Sequence, residues 1–168
     1  MMKKNIVLVG LMGAGKSTVG RHLSKRLKMQ FYDSDYEIEK RTGVSIATIF
    51  EIEGEEGFRL REEQMIAELC QHENIILATG GGSILSAATR KTIQKDAHVI
   101  YLSTTAEQLF MRIRHDKSRP LMQTANPLET LRNLLEKREP YYLEVATSII
   151  KTGQQRINVV IQEIIKSL

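Results

Sequence analysis

Cysteine is almost missing from this 168-residue chain, with Cys70 its single representative. One cysteine excludes an internal disulfide and suits a reducing compartment. Its place beside Ile66 and Leu69 marks it as a small core residue rather than a reactive thiol. Aromatic residues make up only 5% of the chain, and the net charge of +4 is spread along it with no basic block. Few aromatics and no basic arm speak against a nucleic-acid partner, and small anionic ligands account for the charge equally well. No apolar run is long enough to cross a membrane. Met1-Met-Lys-Lys4 ahead of Ile6-Val-Leu-Val9 has the outline of a signal peptide, but the run is too short and is expected to be a first strand. Internal repeats, low-complexity tracts and linkers are also missing. A hydrophobic content of 42% and a charged content of 26% are ordinary for a globular protein, and the length fits one domain, residues 1–168.

What is present begins at Gly10-Leu-Met-Gly-Ala-Gly-Lys-Ser17, a full match to G-x-x-x-x-G-K-[ST]. An apolar run precedes it, and an amphipathic segment through Val19, Leu23 and Leu27 follows. Strand, glycine-rich loop and helix in that order form the context of a phosphate-binding loop. Backbone N–H groups freed of Cβ atoms can turn inward around phosphate oxygens, and the helix starting near Lys16 adds its own donors and the positive end of its dipole. Lys16 is placed to reach the β- and γ-phosphates, and the Ser17 hydroxyl to ligate Mg²⁺.

Further strands are expected at Gln30–Asp33, Ile75–Ala78, His98–Leu102 and Thr147–Ile150, with helical segments between them. Gly43 and Gly54 read as helix breaks, Thr104-x-x-Glu107 as a capping box, and Pro127 as a first-turn proline of a helix ending before Pro140. Ile157, Val160, Ile161, Ile164, Ile165 and Leu168 form the apolar stripe of a terminal helix. Strands alternating with helices predict an α/β domain built on a parallel sheet.

In such a sheet ligands gather beyond the carboxyl ends of the strands. Asp33 and Asp35 lie at the end of the second predicted strand, two apart, so extended chain would point both at one site. Mg²⁺ reached through water for Asp33, and a hydroxyl nucleophile for Asp35, would divide the work between them. An N-cap followed by an acidic first turn explains the same residues. The third strand ends in Thr79 rather than an aspartate, which leaves Asp33 as the carboxylate for the metal. Gly80-Gly81-Gly82 favours a close approach of backbone to ligand, since three glycines in a row are entropically costly. Arg59 could pair with Glu55 or Glu63 at helical spacing, and Arg138 could serve the helix dipole. Arg119, before Pro120 in a polar loop, has the setting of a lid tip over residues 115–126.

Taken together, Gly10 to Arg21, Phe31-Tyr-Asp-Ser-Asp35, Gly57-Phe-Arg59, Gly80–Gly82, Ser118-Arg-Pro-Leu121 and Arg138-Glu-Pro-Tyr-Tyr142 resemble the shikimate kinase family of P-loop kinases. The resemblance runs from Asn5 to the last helix. It implies a three-layer fold with a five-stranded parallel sheet and a mobile lid, in a cytoplasmic monomer without nucleic-acid or membrane partners. The implied reaction moves the γ-phosphoryl of ATP to the 3-hydroxyl of shikimate, giving ADP. By similarity Gly13, Ala14, Gly15, Lys16, Ser17 and Thr18 bind the ATP phosphates, Ser17 binds Mg²⁺ and Asp33 assists through water. Asp35 and the Gly80, Gly81, Gly82 turn hold shikimate, with Arg59 and Arg138 on its carboxylate. Arg119 closes over the phosphates, and Arg112 and Gln155 sit by the adenine. A gluconate or nucleoside monophosphate kinase would share the loop and the fold. A nucleotide-dependent switch is disfavoured because no Asn-Lys-x-Asp guanine motif is present.

Overall fold

The computed structural model describes residues 5–116 and 119–168; Met1–Lys4 and Ser118 of the Ser118-Arg-Pro-Leu121 motif lie outside the described residues. Five parallel strands form one sheet in the order β2-β3-β1-β4-β5. They are β1 (Asn5–Val9), β2 (Gln30–Asp33), β3 (Ile75–Ala78), β4 (Ala97–Ser103) and β5 (Ser148–Lys151). Every residue of β1 and β3 is buried, as expected where helices cover both faces of a parallel sheet. The register Ile6–Ile76 and Ile6–His98 aligns the three central strands, and their carboxyl ends form a common rim.

Period-two alternation divides the core. Ile6 and Leu8 face one layer with α1 (Lys16–Leu27), α5 (Ala106–Ile113) and α7 (Ile157–Ser167). Val7 and Val9 face the other, with α2 (Ser34–Thr42), α3 (Ile46–Leu69), α4 (Ala87–Asp96) and the end of α6 (Pro127–Val145). Cys70 is buried in this second layer, and burial pushes its thiol up to about 12, an inert core residue as expected. No helix among the described residues is long and apolar enough to cross a membrane.

Three local expectations change. The helix predicted to stop before Pro140 continues to Val145, because Tyr142 and Val145 are buried against the sheet, and that burial outweighs the hydrogen bond Pro140 cannot make. The cap of α5 is Thr105, whose hydroxyl accepts from the Gln108 N–H, not Thr104. Asp35 does not lie in extended chain but in the first turn of α2. Gly54 breaks α3 as predicted, with φ 74° inside an otherwise helical run.

Candidate active site

The phosphate loop turns on positive-φ glycines. Gly15, at φ 93°, is the residue before α1, and Gly13, at φ 81°, leaves no room for a Cβ, which would lie 2.8 Å from Ile113. This geometry delivers Lys16 to the first position of α1 at only 9% exposure. Its ammonium donates to the Gly10 and Leu11 carbonyls at 2.7 and 2.9 Å. Burial lowers its pKa to about 8, against the opposing pull of Asp35 and Asp33.

Asp33 is both the helix cap and a residue of the cleft beside the phosphate loop. Oδ1 accepts the N–H groups of Asp35 and Tyr36, while Oδ2 accepts from the Ser17 hydroxyl at 2.5 Å. The capping alternative is therefore real for Asp33, yet it occupies one oxygen only. Thr79 is satisfied by the Leu8 carbonyl, so it offers no charge. A cleft of about 430 Å³ brings together Lys16, Ser17, Asp33, Asp35, Gly81 and Arg119. Ser17 and Asp33 place two hard oxygens side by side in it, the donor set that Mg²⁺ takes alongside phosphate oxygens and water.

Asp35 reaches the same cleft from the first turn of α2. Burial and then the neighbouring Asp33 raise its carboxyl to about 6. Around it the triple glycine serves a purpose the sequence only hinted at. A Cβ on Gly80 would stand 2.6 Å from Glu62 Oε2 and 3.1 Å from Asp35 Oδ1. On Gly82 it would stand 2.2 Å from Arg59, and on Gly81 3.5 Å from Arg138. None of the three has positive φ; the missing side chains of Gly80 and Gly82 make space for the two acids and Arg59, and Arg138 lies beside Gly81. Buried polar atoms are normally paired. Here Asp35 Oδ1, Arg59 Nε and Glu62 Oε2 are all buried without a hydrogen-bond partner among the described residues.

Glu62 escaped sequence reasoning. Arg59 bonds it at 2.8 Å and also pairs with Glu55 at 3.6 Å, as the helical spacing allowed, whereas Glu63 instead accepts from Ser86 at the start of α4. Glu62 is 2% exposed, and burial raises its pKa. The signal was its position among the core residues Phe58, Met65, Ile66 and Leu69 of α3, where a carboxylate needs a partner.

Arg119 lines the cleft with its side chain against Asp116 at 3.0 Å. Arg112 and Gln155 line an adjoining space of about 250 Å³ behind the loop. Arg112 donates to the carbonyls of Gly13 and Gly153, tying the phosphate loop to the turn after β5. A larger groove of about 900 Å³ lies between α5, α6 and the end of β5. It includes none of the phosphate loop, so size does not locate the chemistry.

The sequence model of the shikimate kinase family matches residues 12–168. A shikimate kinase of Nitrosococcus oceani is 54% identical over all of this chain and 88% of its own length. The structure of a shikimate kinase from Acinetobacter baumannii in complex with shikimate is 48% identical and superposes with a TM-score of 0.93, covering 97% of this chain and 91% of that one. A gluconokinase from Sinorhizobium meliloti, 18% identical with a TM-score of 0.66 over 99% of this chain and 91% of its own, shares the fold alone. With its phosphate loop, its parallel sheet and these relatives, the chain belongs to the shikimate kinase family.

Proposed function

We propose that this chain transfers the γ-phosphoryl group of ATP to the 3-hydroxyl of shikimate, in a single domain spanning 1–168 that works as a cytoplasmic monomer. The observation that carries this reading is the convergence on the Gly80–Gly82 turn, beside the phosphate loop, of buried polar atoms of Asp35, Arg59 and Glu62 that have no hydrogen-bond partner among the described residues. A small acid bearing hydroxyls needs guanidinium at one end and carboxylate at the other, and that is the set assembled here.

In this mechanism Gly13 to Thr18 hold the phosphates, and Lys16 draws off negative charge as the γ-phosphoryl leaves. Mg²⁺, held by Ser17 with Asp33 behind it, would neutralise phosphate charge. Asp35 orients the acceptor hydroxyl and takes its proton as the oxygen attacks phosphorus, while the β–γ bridging oxygen leaves with ADP. Its carboxyl at about 6 is ionised at neutral pH and basic enough for that task. Arg59 and Arg138 grip the acceptor carboxylate, with Glu62 holding Arg59 in place. Arg112 and Gln155 flank the adenine, and Arg119 closes from the 115–126 lid.

An ADP-release assay with shikimate, gluconate and nucleoside monophosphates as acceptors tests the assignment. Shikimate should stimulate release well above the others; a stronger response to gluconate or a nucleotide would replace it with that kinase. Arg59→Lys and Arg138→Lys should each raise the shikimate KM by about tenfold or more, with the ATP KM nearly constant, because lysine keeps the charge but loses the two-pronged fit. Equal effects on both substrates would make these arginines structural. Arg119→Ala should lower kcat while leaving shikimate affinity without nucleotide almost unchanged. A collapse of that binary affinity would place Arg119 in the acceptor pocket instead.

A further inference from the structure

The segment Arg138-Glu-Pro-Tyr-Tyr142 carries more than one site arginine. Tyr142 lies one helical turn beyond Arg138, on the same face of α6, and is 1% exposed. Its hydroxyl donates to the Gly81 carbonyl at 2.6 Å, and a Cβ on Gly81 would stand 3.5 Å from the Arg138 guanidinium. Burial raises the phenol's pKa, and the positive charge of that guanidinium pulls it down against this larger effect. We propose that Tyr142 is a positioning residue for the acceptor: its hydroxyl fixes the Gly81 backbone beside the Arg138 guanidinium and sets the angle at which both meet the acceptor carboxylate. The inference rests on the reading of Arg138 as a carboxylate-binding group.

The geometry explains why a tyrosine is suited to this position. The Gly81 carbonyl needs a donor, and a phenol supplies one from the end of a rigid ring, while its oxygen lone pairs suit a neighbouring cation. Burial holds the phenol near 12, so the proton given to Gly81 stays in place throughout the neutral range. The ring itself is immobilised by Tyr101, stacked on it at 5.1 Å, a contact between rings that does not involve the Tyr101 hydroxyl. A chain of contacts thus runs from the sheet through two buried rings to the acceptor turn. A flexible arginine is costly to order, and a fixed partner lowers that cost before the acceptor arrives. The continuation of α6 through Pro140 is what brings Tyr142 under Gly81. A helix ending where the proline first suggested would leave Arg138 without this support.

Tyr142→Phe keeps the stacked ring and removes one oxygen. It should raise the shikimate KM about five- to tenfold, the scale of one neutral hydrogen bond at the upper end of its range, with the ATP KM and kcat within about twofold. The thermal shift given by saturating shikimate should shrink in parallel, a reading that needs no turnover. Tyr101→Phe deletes an equally buried hydroxyl that touches no acceptor group, and should leave both KM values unchanged. In an Arg138→Met background, Tyr142→Phe should add less than about twofold, since its effect passes through the arginine. An unchanged shikimate KM in Tyr142→Phe, a parallel rise of both KM values, the same split in Tyr101→Phe, or full additivity with Arg138→Met would each overturn the proposal. If Arg138→Met itself leaves the shikimate KM untouched, the reading of Arg138 fails first and the role of Tyr142 falls with it.

Discussion

Replacing Lys16 with methionine is expected to lower kcat by at least about a hundredfold, a loss of ~2.7 kcal/mol or more of transition-state stabilisation. The fold should survive, and opposing terms explain why. The ammonium donates to the Gly10 and Leu11 carbonyls, and losing those bonds costs about 2 kcal/mol in all. Against this, burying the charge lowers its pKa from 10.5 to about 8, which corresponds to a destabilisation of roughly 3 kcal/mol that methionine removes. The sign follows from protonation. Below pH 8 the lysine is charged in both folded and unfolded chains and the cost is fully present; it fades as pH rises from 8 toward 10.5. Thermal melts near neutral pH should therefore differ by only a few degrees while turnover collapses. A Lys16→Met variant with near-normal turnover would remove the phosphate-loop assignment.

Asp35→Asn carries the other large effect. The amide keeps the size but takes no proton, so kcat should drop by roughly a hundred- to ten-thousandfold, while ATP affinity holds because the loop is untouched. The same change should stabilise the fold by about 1–3 kcal/mol at neutral pH, since it removes a carboxyl raised from 3.8 to about 6 whose Oδ1 lacks a partner. For a raised acid the folded chain holds more protons between pH 4 and 6, so wild-type stability falls across that window and stays lower above it. The gain in Tm should thus be full above pH 6 and vanish below about pH 4. In wild type, kcat/KM should fall as pH drops through about 6. Asp33→Asn provides the contrast. Asparagine still caps α2, and its defect should be partly relieved by raising Mg²⁺, whereas that of Asp35→Asn should not. A reversed response would exchange the two roles. If neither variant loses activity, the Asp-Ser-Asp segment is only a cap.

The phosphate loop was legible because its chemistry is local: spacing, flanking strand and following helix all lie within about twenty consecutive residues. The three central strands were legible for the same reason, each being a short, mostly apolar run. The proposed acceptor pocket was readable only as separate pieces. Arg59 and Arg138 each had an ordinary helical explanation, and nothing in their own neighbourhoods showed that Gly81 and Gly82 bring them together. Glu62 was hidden because its helical neighbour Glu63 fitted pairing rules as well, and burial alone separates them. Pro140 misled because the local cost of a proline is visible in sequence, whereas the burial of Tyr142 and Val145 that offsets it is not.

The most direct test of the account is phosphorus NMR of the product formed from ATP, Mg²⁺ and shikimate. One new phosphomonoester is expected, on the shikimate 3-hydroxyl and formed in equal amount with ADP. ADP with inorganic phosphate alone, or a phosphate on a different hydroxyl, would contradict it.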